Sequence, residues 1–145
     1  MQLTEGKNVD EIEEIKKLLT ESKTIAIAGL SDKPERDSYD VAMYLKNAGY
    51  AIIPVNPNIR EWNGTKAYTS LLEIPDSIKV DVIDIFRRSE FVEEIVNDAL
   101  KMKSRPKEIW LQLGIENERA AEKARNAGII VIQDKCIKIE HVKLP

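Results

Sequence analysis

The chain has 145 residues, 43% of them hydrophobic and 32% charged, with a net charge of −3, one Cys and one His. That size suits one compact domain, and the composition excludes a disordered chain, a disulfide framework, multi-cysteine metal sites and most imidazole chemistry. An acidic balance with pI near 5.4 offers no general field for nucleic acid, so a bound anion would have to be held locally.

The first residues lack the apolar core of a signal peptide, and no apolar run reaches the roughly 20 residues of a membrane helix. A cytoplasmic protein with no metal, nucleic-acid or membrane partner is expected. Lys and Glu, 15 and 16 of them, outnumber three Gln, a bias of proteins from thermophiles.

Val9, Ile12, Ile15, Leu18 and Leu19 recur at helical spacing and predict an N-terminal helical extension over residues 1–22 of a single domain spanning 1–145. Thr24-Ile-Ala-Ile-Ala-Gly29 reads as a strand buried on both faces. A polar loop from Leu30 to Ser38 follows. Val41, Ala42, Tyr44, Leu45 and Ala48 form a helical stripe stopped by Gly49, and Tyr50-Ala-Ile-Ile-Pro-Val55 is the next strand, closing a right-handed β-α-β unit. Residues 58–78 are irregular, with a turn at Asn63-Gly64 and a short extra strand over 66–68. Val80 to Phe86 is a strand, Glu90 to Lys103 a helix, Ile109 to Leu113 a strand, Asn117 to Ala127 a helix closed by Gly128, and Ile129 to Ile132 the last strand. The alternation predicts an α/β, Rossmann-like three-layer domain with a mainly parallel sheet.

In such sheets the ligand crevice lies at the carboxyl ends of the strands, where strand order reverses. After Gly29 the dinucleotide pattern of three glycines is missing, yet Asp37, Ser38 and Tyr39 open a helix whose free N–H groups suit a phosphate. Ser31, Lys33, Arg36 and Ser38 surround that spot with donors. A solvated loop with an ordinary helix cap fits the same residues. The second strand ends in Val55, Asn56 and Pro57, without the carboxylate that grips a nicotinamide ribose. Its prolines leave an apolar wall for a flat base or a pantetheine arm.

Arg87 and Arg88 directly follow a buried strand. Their forks match phosphate oxygens; the alternative is a surface ion pair with Asp84, Glu90 or Glu94. Cys136 is either a small core residue or a thiol at the crevice, His141 reads as a surface or partly buried residue, and Trp110 as core.

Together, Ile-Ala-Gly-Leu-Ser (27–31), Asp37-Ser-Tyr-Asp-Val-Ala42, Pro54-Val-Asn-Pro57, Asp84-Ile-Phe-Arg-Arg-Ser89, Trp110-Leu-Gln-Leu-Gly-Ile115 and Lys135-Cys-Ile-Lys-Ile-Glu-His141 resemble the small stand-alone CoA-binding proteins. These are relatives of the CoA-binding domain of the succinyl-CoA synthetase alpha subunit, and the resemblance covers about residues 20 to 143. It implies that coenzyme A or an acyl-CoA lies in the crevice. Gly29, Leu30 and Ser31 would approach the pyrophosphate, with Ser38 and Tyr39 at the helix start and Lys33 and Arg36 as further phosphate partners. Asn56 and Pro57, beside Val55, would border the nucleotide. Phe86, Arg87 and Arg88 would serve the adenosine end and its 3′-phosphate, while Gly114 and Cys136 lie toward the reactive end.

The synthetase's active histidine belongs to another domain and has no counterpart in His141, so binding without ligase activity is expected. An NAD(P)-dependent reductase and a CoA-sensing regulatory subunit are the competing readings. A helix outside the sheet offers a face for a homodimer or a partner protein. If Cys136 faces the crevice, a mixed disulfide with the CoA thiol becomes feasible.

Overall fold

The computed structural model describes the backbone of residues 2–145 and the side chains from residue 11 onward. Among the described residues seven strands and five α-helices run in the order α1 (Gln2–Glu21), β1 (Thr24–Ala28), α2 (Asp37–Asn47), β2 (Ala51–Val55), β3 (Glu61–Trp62), β4 (Thr65–Lys66), β5 (Val82–Ile85), α3 (Val92–Lys101), β6 (Glu108–Leu111), α4 (Glu118–Asn126), β7 (Ile130–Ile132) and α5 (Ile137–Val142). Five strands form a parallel sheet in the order β2-β1-β5-β6-β7, and β3 pairs with β4 in a separate antiparallel hairpin.

The sheet is buried on both faces, as its near-continuous apolar strands require. On one side Ile83, Ile85, Ile109 and Leu111 pack against Val92, Val96 and Ala99 of α3 and Ala120, Ala121 and Ala124 of α4. On the other, Ile25, Ile27, Val82, Trp110 and Ile132 pack against Ile15 and Leu19 of α1, Val41 and Leu45 of α2, and Ile137 of α5. The expected three-layer α/β architecture is therefore the one observed. Among the described residues no helix is long and apolar enough to cross a membrane.

Ile15, Leu18 and Leu19 of the expected N-terminal stripe are buried, whereas Ile12 is 62% exposed and the side chain of Val9 lies outside the described residues. Among the described residues the helix reaches the sheet through its last turns. There the Tyr50 hydroxyl donates to the Leu19 carbonyl, and the Asp81 carboxylate accepts the N–H groups of Lys23 and Thr24, tying the entry of β1 to β5.

Several boundaries move inward. The expected strand over 109–113 ends at Leu111, and the helix over 90–103 begins with a single tight turn at Ser89–Phe91 and ends at Lys101. The turn at Asn63-Gly64 is present with both residues at positive φ, 49° and 77°, and joins β3 to β4. The extra strand falls at Thr65–Lys66, and Tyr68 makes a bridge to Val55 beyond it. Helix α5, not expected from the sequence, is six residues long, too short for a periodic signal, and it packs against α2 and α1.

Candidate functional site

Strand order reverses between β1, which leads by α2 to β2 on one side, and β5, which begins the run to β6 and β7 on the other. The carboxyl ends of β1 and β5 therefore part company at Gly29 and Phe86, and the loops that leave them diverge. Three adjoining cavities open there. One of about 560 Å³ is lined by Gly29, Ser31, Lys33, Arg36, Ser38, Asn56 and Phe86 together with Asp32, Glu35 and Asp37. A second, of about 330 Å³, has Gly29, Val55, Pro57, Ser70, Arg87 and Phe91 on its walls. The largest, about 850 Å³, is bounded by Phe86, Arg87, Arg88, Gln112, Gly114 and Cys136. Gly29, Phe86 and Arg87 are each shared by two of them.

The fold thus gathers onto one crevice residues that lie up to about a hundred positions apart in sequence. Gly29 sits at φ +90° with its amide donating to the Val55 carbonyl, and a Cβ there would stand 2.5 Å from the Phe86 carbonyl oxygen. Only glycine allows the β1 loop to leave so close to β5. The Ser38 hydroxyl accepts the Ser31 N–H at 2.9 Å, and the Ser31 hydroxyl accepts the Lys33 N–H at 3.0 Å. Both hydroxyls accept within the loop, so their own protons remain to be donated outward. Helix α2 starts at Asp37 after an Arg36 N-cap with no side-chain cap bond. The Tyr39 and Asp40 N–H groups donate to the Arg36 carbonyl, which leaves those of Asp37 and Ser38 without a partner among the described residues.

Asn56 performs a structural task at the same point. Its Nδ2 donates to the Leu30 carbonyl and its Oδ1 accepts the Asn58 N–H, which locks the β2 exit against the β1 loop. Two expected positions lie off the crevice. The Leu30 side chain is fully buried in the layer of α1 and α2, leaving its backbone at the loop. Tyr39 packs edge-on against Trp62 with ring centroids 5.9 Å apart, one helix face round from Ser38 and two turns before Lys46, which also lies over Trp62.

The charges decide the site's character. Lys33, Arg36, Arg87 and Arg88 make no ion pair with any carboxylate of the described residues, so the pairings of the arginines with Asp84, Glu90 or Glu94 are not formed. Arg87 is half-buried with its guanidinium 4.6 Å from the centre of the Phe91 ring, a contact that holds it between two cavities. Arg88 is exposed at the rim of the largest cavity. Lys138, by contrast, is engaged by Asp40 at 2.8 Å, and that bond raises its pKa.

Cys136 is half-buried, lines the largest cavity and precedes α5 as its N-cap. Gly114, at φ +85°, donates its N–H to the Asp134 carboxylate at 2.7 Å and has open space where a Cβ would be. Trp110 is fully buried and donates Nε1–H to the Lys135 carbonyl, as a core residue should. His141 stands away from the crevice, its Nδ1 2.8 Å from the Tyr44 hydroxyl. Ser89, Gln112, Leu113, Ile115 and Ile139 also line the largest cavity, though the motifs that contain them assign them no site role. A signal existed only for Leu113 and Ile115, as apolar residues flanking Gly114 after a strand.

Comparison with known proteins agrees with this fold. The profile of the CoA binding domain family matches residues 23–142. The protein YneT of Bacillus subtilis is 44% identical over 128 residues, covering 88% of this chain and 92% of that one. A solved structure of a hypothetical protein from Pyrococcus horikoshii superposes with a TM-score of 0.85 at 40% identity, over 92% of this chain and 91% of the other. An ADP-forming acetate–CoA ligase of Methanocaldococcus jannaschii is 34% identical over 67 residues, 46% of this chain but 10% of the ligase.

Proposed function

The chain belongs to the CoA binding domain family, and from that premise we propose that it binds coenzyme A in the crevice at the carboxyl ends of β1, β2, β5 and β6, without ligating anything to it. One observation carries the reading: at the point of strand reversal Lys33, Arg36, Arg87 and Arg88 line adjoining cavities that also hold carboxylates such as Glu35, Glu90 and Glu94, yet among the described residues none of the four cations is paired with one. Free guanidinium and ammonium groups there match a ligand carrying several phosphates.

On this reading Gly29, Ser31 and Ser38 present backbone and hydroxyl donors to the pyrophosphate, with Lys33 and Arg36 beside them. Arg87 reaches toward Val55 and Pro57 and takes the 3′-phosphate of the adenosine, with Arg88 supplying a second positive charge. The pantetheine arm crosses Phe86 into the largest cavity, so that its thiol end lies by Gly114 and Cys136. Binding without ligation is supported by the absence of an imidazole from the crevice, since the one histidine of the sequence is held by Tyr44 elsewhere.

Calorimetric titration with CoA, dephospho-CoA and NADPH in parallel tests the reading. CoA should bind more tightly than dephospho-CoA, and NADPH should bind weakly. No heat with CoA, or a preference for NADPH, would overturn it. Incubation with CoA, acetate and ATP should give no acetyl-CoA above a heat-killed control.

A further inference from the structure

The largest cavity carries chemistry that a free thiol does not use. Its wall includes Gln112, a residue 95% buried at the end of β6 whose Oε1 accepts the Ile137 N–H at 3.1 Å. That bond fixes which way the carboxamide points, because only its oxygen can accept. The Nε2 donor is then turned elsewhere, and it meets no acceptor among the described residues while lying at the cavity wall. A donor with no protein partner on the wall of an open cavity is available to a carbonyl or similar oxygen from a ligand in place of water.

Around it the cavity is apolar in a way that the protein itself does not cover. Leu113 is 65% exposed and Ile139 50% exposed, and both stand on the same cavity as Val41, Phe86 and Ile115. The cavity shares Phe86 with the cavity of Lys33 and Arg36, and Arg87 with the cavity of Val55 and Pro57. An oxygen acceptor at Gln112 followed by an aliphatic segment over Leu113 and Ile139 describes a thioester and its hydrocarbon chain.

We propose that the preferred ligand is an aliphatic acyl-CoA rather than free CoA, with Gln112 Nε2 donating to the thioester carbonyl and Leu113, Ile115 and Ile139 covering the acyl chain. This rests on the CoA reading above and names the class of ligand for the same site. Gln112 is a specificity-determining residue, and the thioester is bound, not cleaved.

The test is calorimetry on the full chain with CoA, acetyl-CoA, butyryl-CoA and hexanoyl-CoA. Each methylene that is fully buried is worth about a fourfold gain in affinity, so hexanoyl-CoA should bind at least about tenfold more tightly than CoA. Gln112→Glu keeps an oxygen for the Ile137 N–H but removes the donor, and it should lower the hexanoyl-CoA to CoA affinity ratio about tenfold or more. Because that change is nearly buried, circular dichroism checks its fold, and the exposed pair Leu113→Ser with Ile139→Ser provides an independent variant that should also lower the ratio. Equal affinities for CoA and hexanoyl-CoA overturn the acyl proposal and leave CoA binding standing. The acyl proposal is overturned in the same way if the Leu113 and Ile139 variant changes the oligomeric state with no effect on the ratio. If neither CoA nor any thioester binds, the CoA reading itself fails and the acyl proposal falls with it.

Discussion

A Cβ on Gly29 would lie 2.5 Å from the carbonyl oxygen of Phe86 and 3.0 Å from the Arg87 side chain. This one approach joins the end of β1 to the end of β5 and sets the width of the crevice where strand order reverses. It makes Gly29 the position at which backbone geometry and the candidate phosphate loop depend on each other.

Gly29→Ala should therefore destabilise the protein by about 2 to 4 kcal/mol, from a side chain at φ +90° and a collision with backbone that has no free rotation. Urea denaturation of both forms measures it. Stability within about 0.5 kcal/mol of wild type would show that the two strand ends can separate freely.

Arg87 and Arg88 should differ in effect, since one is half-buried between two cavities and the other exposed on one. Arg87→Ala is expected to weaken CoA by about 1.5 to 3 kcal/mol, the range of a hydrogen bond to a charged group, and to weaken dephospho-CoA much less. Arg88→Ala should cost under about 1.5 kcal/mol. Titration of both ligands on both variants checks this, and unchanged affinities throughout would remove the arginines from the site.

Asp84 and Glu108 occupy the same sheet face on neighbouring strands, and neither carboxylate has a hydrogen-bond partner in the described residues. Burial pushes both pKa values well up, Glu108 being raised further by Asp84 and by Glu14 of α1. The native state then keeps protons that the unfolded chain releases above about pH 4, so stability falls as pH rises from there toward the raised native values. Each group contributes a slope of about 1.4 kcal/mol per pH unit within that window. Asp84→Asn removes one share, and its stability relative to wild type should increase from about pH 4.5 to about pH 7.5 by more than about 1 kcal/mol. Parallel stability curves for the two proteins across that range would contradict the assignment.

Cys136 has the largest cavity in front of it and a half-buried sulfur. With CoA disulfide supplied as the oxidant, attack by the Cys136 thiolate on one sulfur forms the protein–CoA disulfide and expels the other CoA as its thiolate. Intact-protein mass should rise by one CoA moiety, return with dithiothreitol, and stay constant in Cys136→Ser. A mass unaltered by excess CoA disulfide would place the sulfur out of the ligand's reach.

Periodicity was enough to read the alternating strands and helices, because residues 24–28, 82–85 and 108–111 are short, mostly apolar runs buried on both faces, with Asp84 and Glu108 as the exceptions, and α3 and α4 carry single apolar stripes. The rule that parallel strands present ligands at their carboxyl ends then pointed to Gly29, Arg87 and Cys136 from the order of residues alone, since each follows a strand end directly or closely. Strand order was not legible, for nothing local in β5 says that it pairs with β1 and not with β2. For the same reason the freedom of Arg87 and Arg88 from Asp84 became visible only in the fold, where the alternation of the strand turns the Asp84 carboxyl into the core and away from the crevice. The direction of Gln112, the exposure of Leu113 beside Ile139, and the displacement of Tyr39 onto Trp62 are likewise tertiary facts. Hydrophobic pattern dictates which face of an element is buried; which neighbours share a cavity depends on contacts between segments far apart in the chain, and those are set only when the layers close.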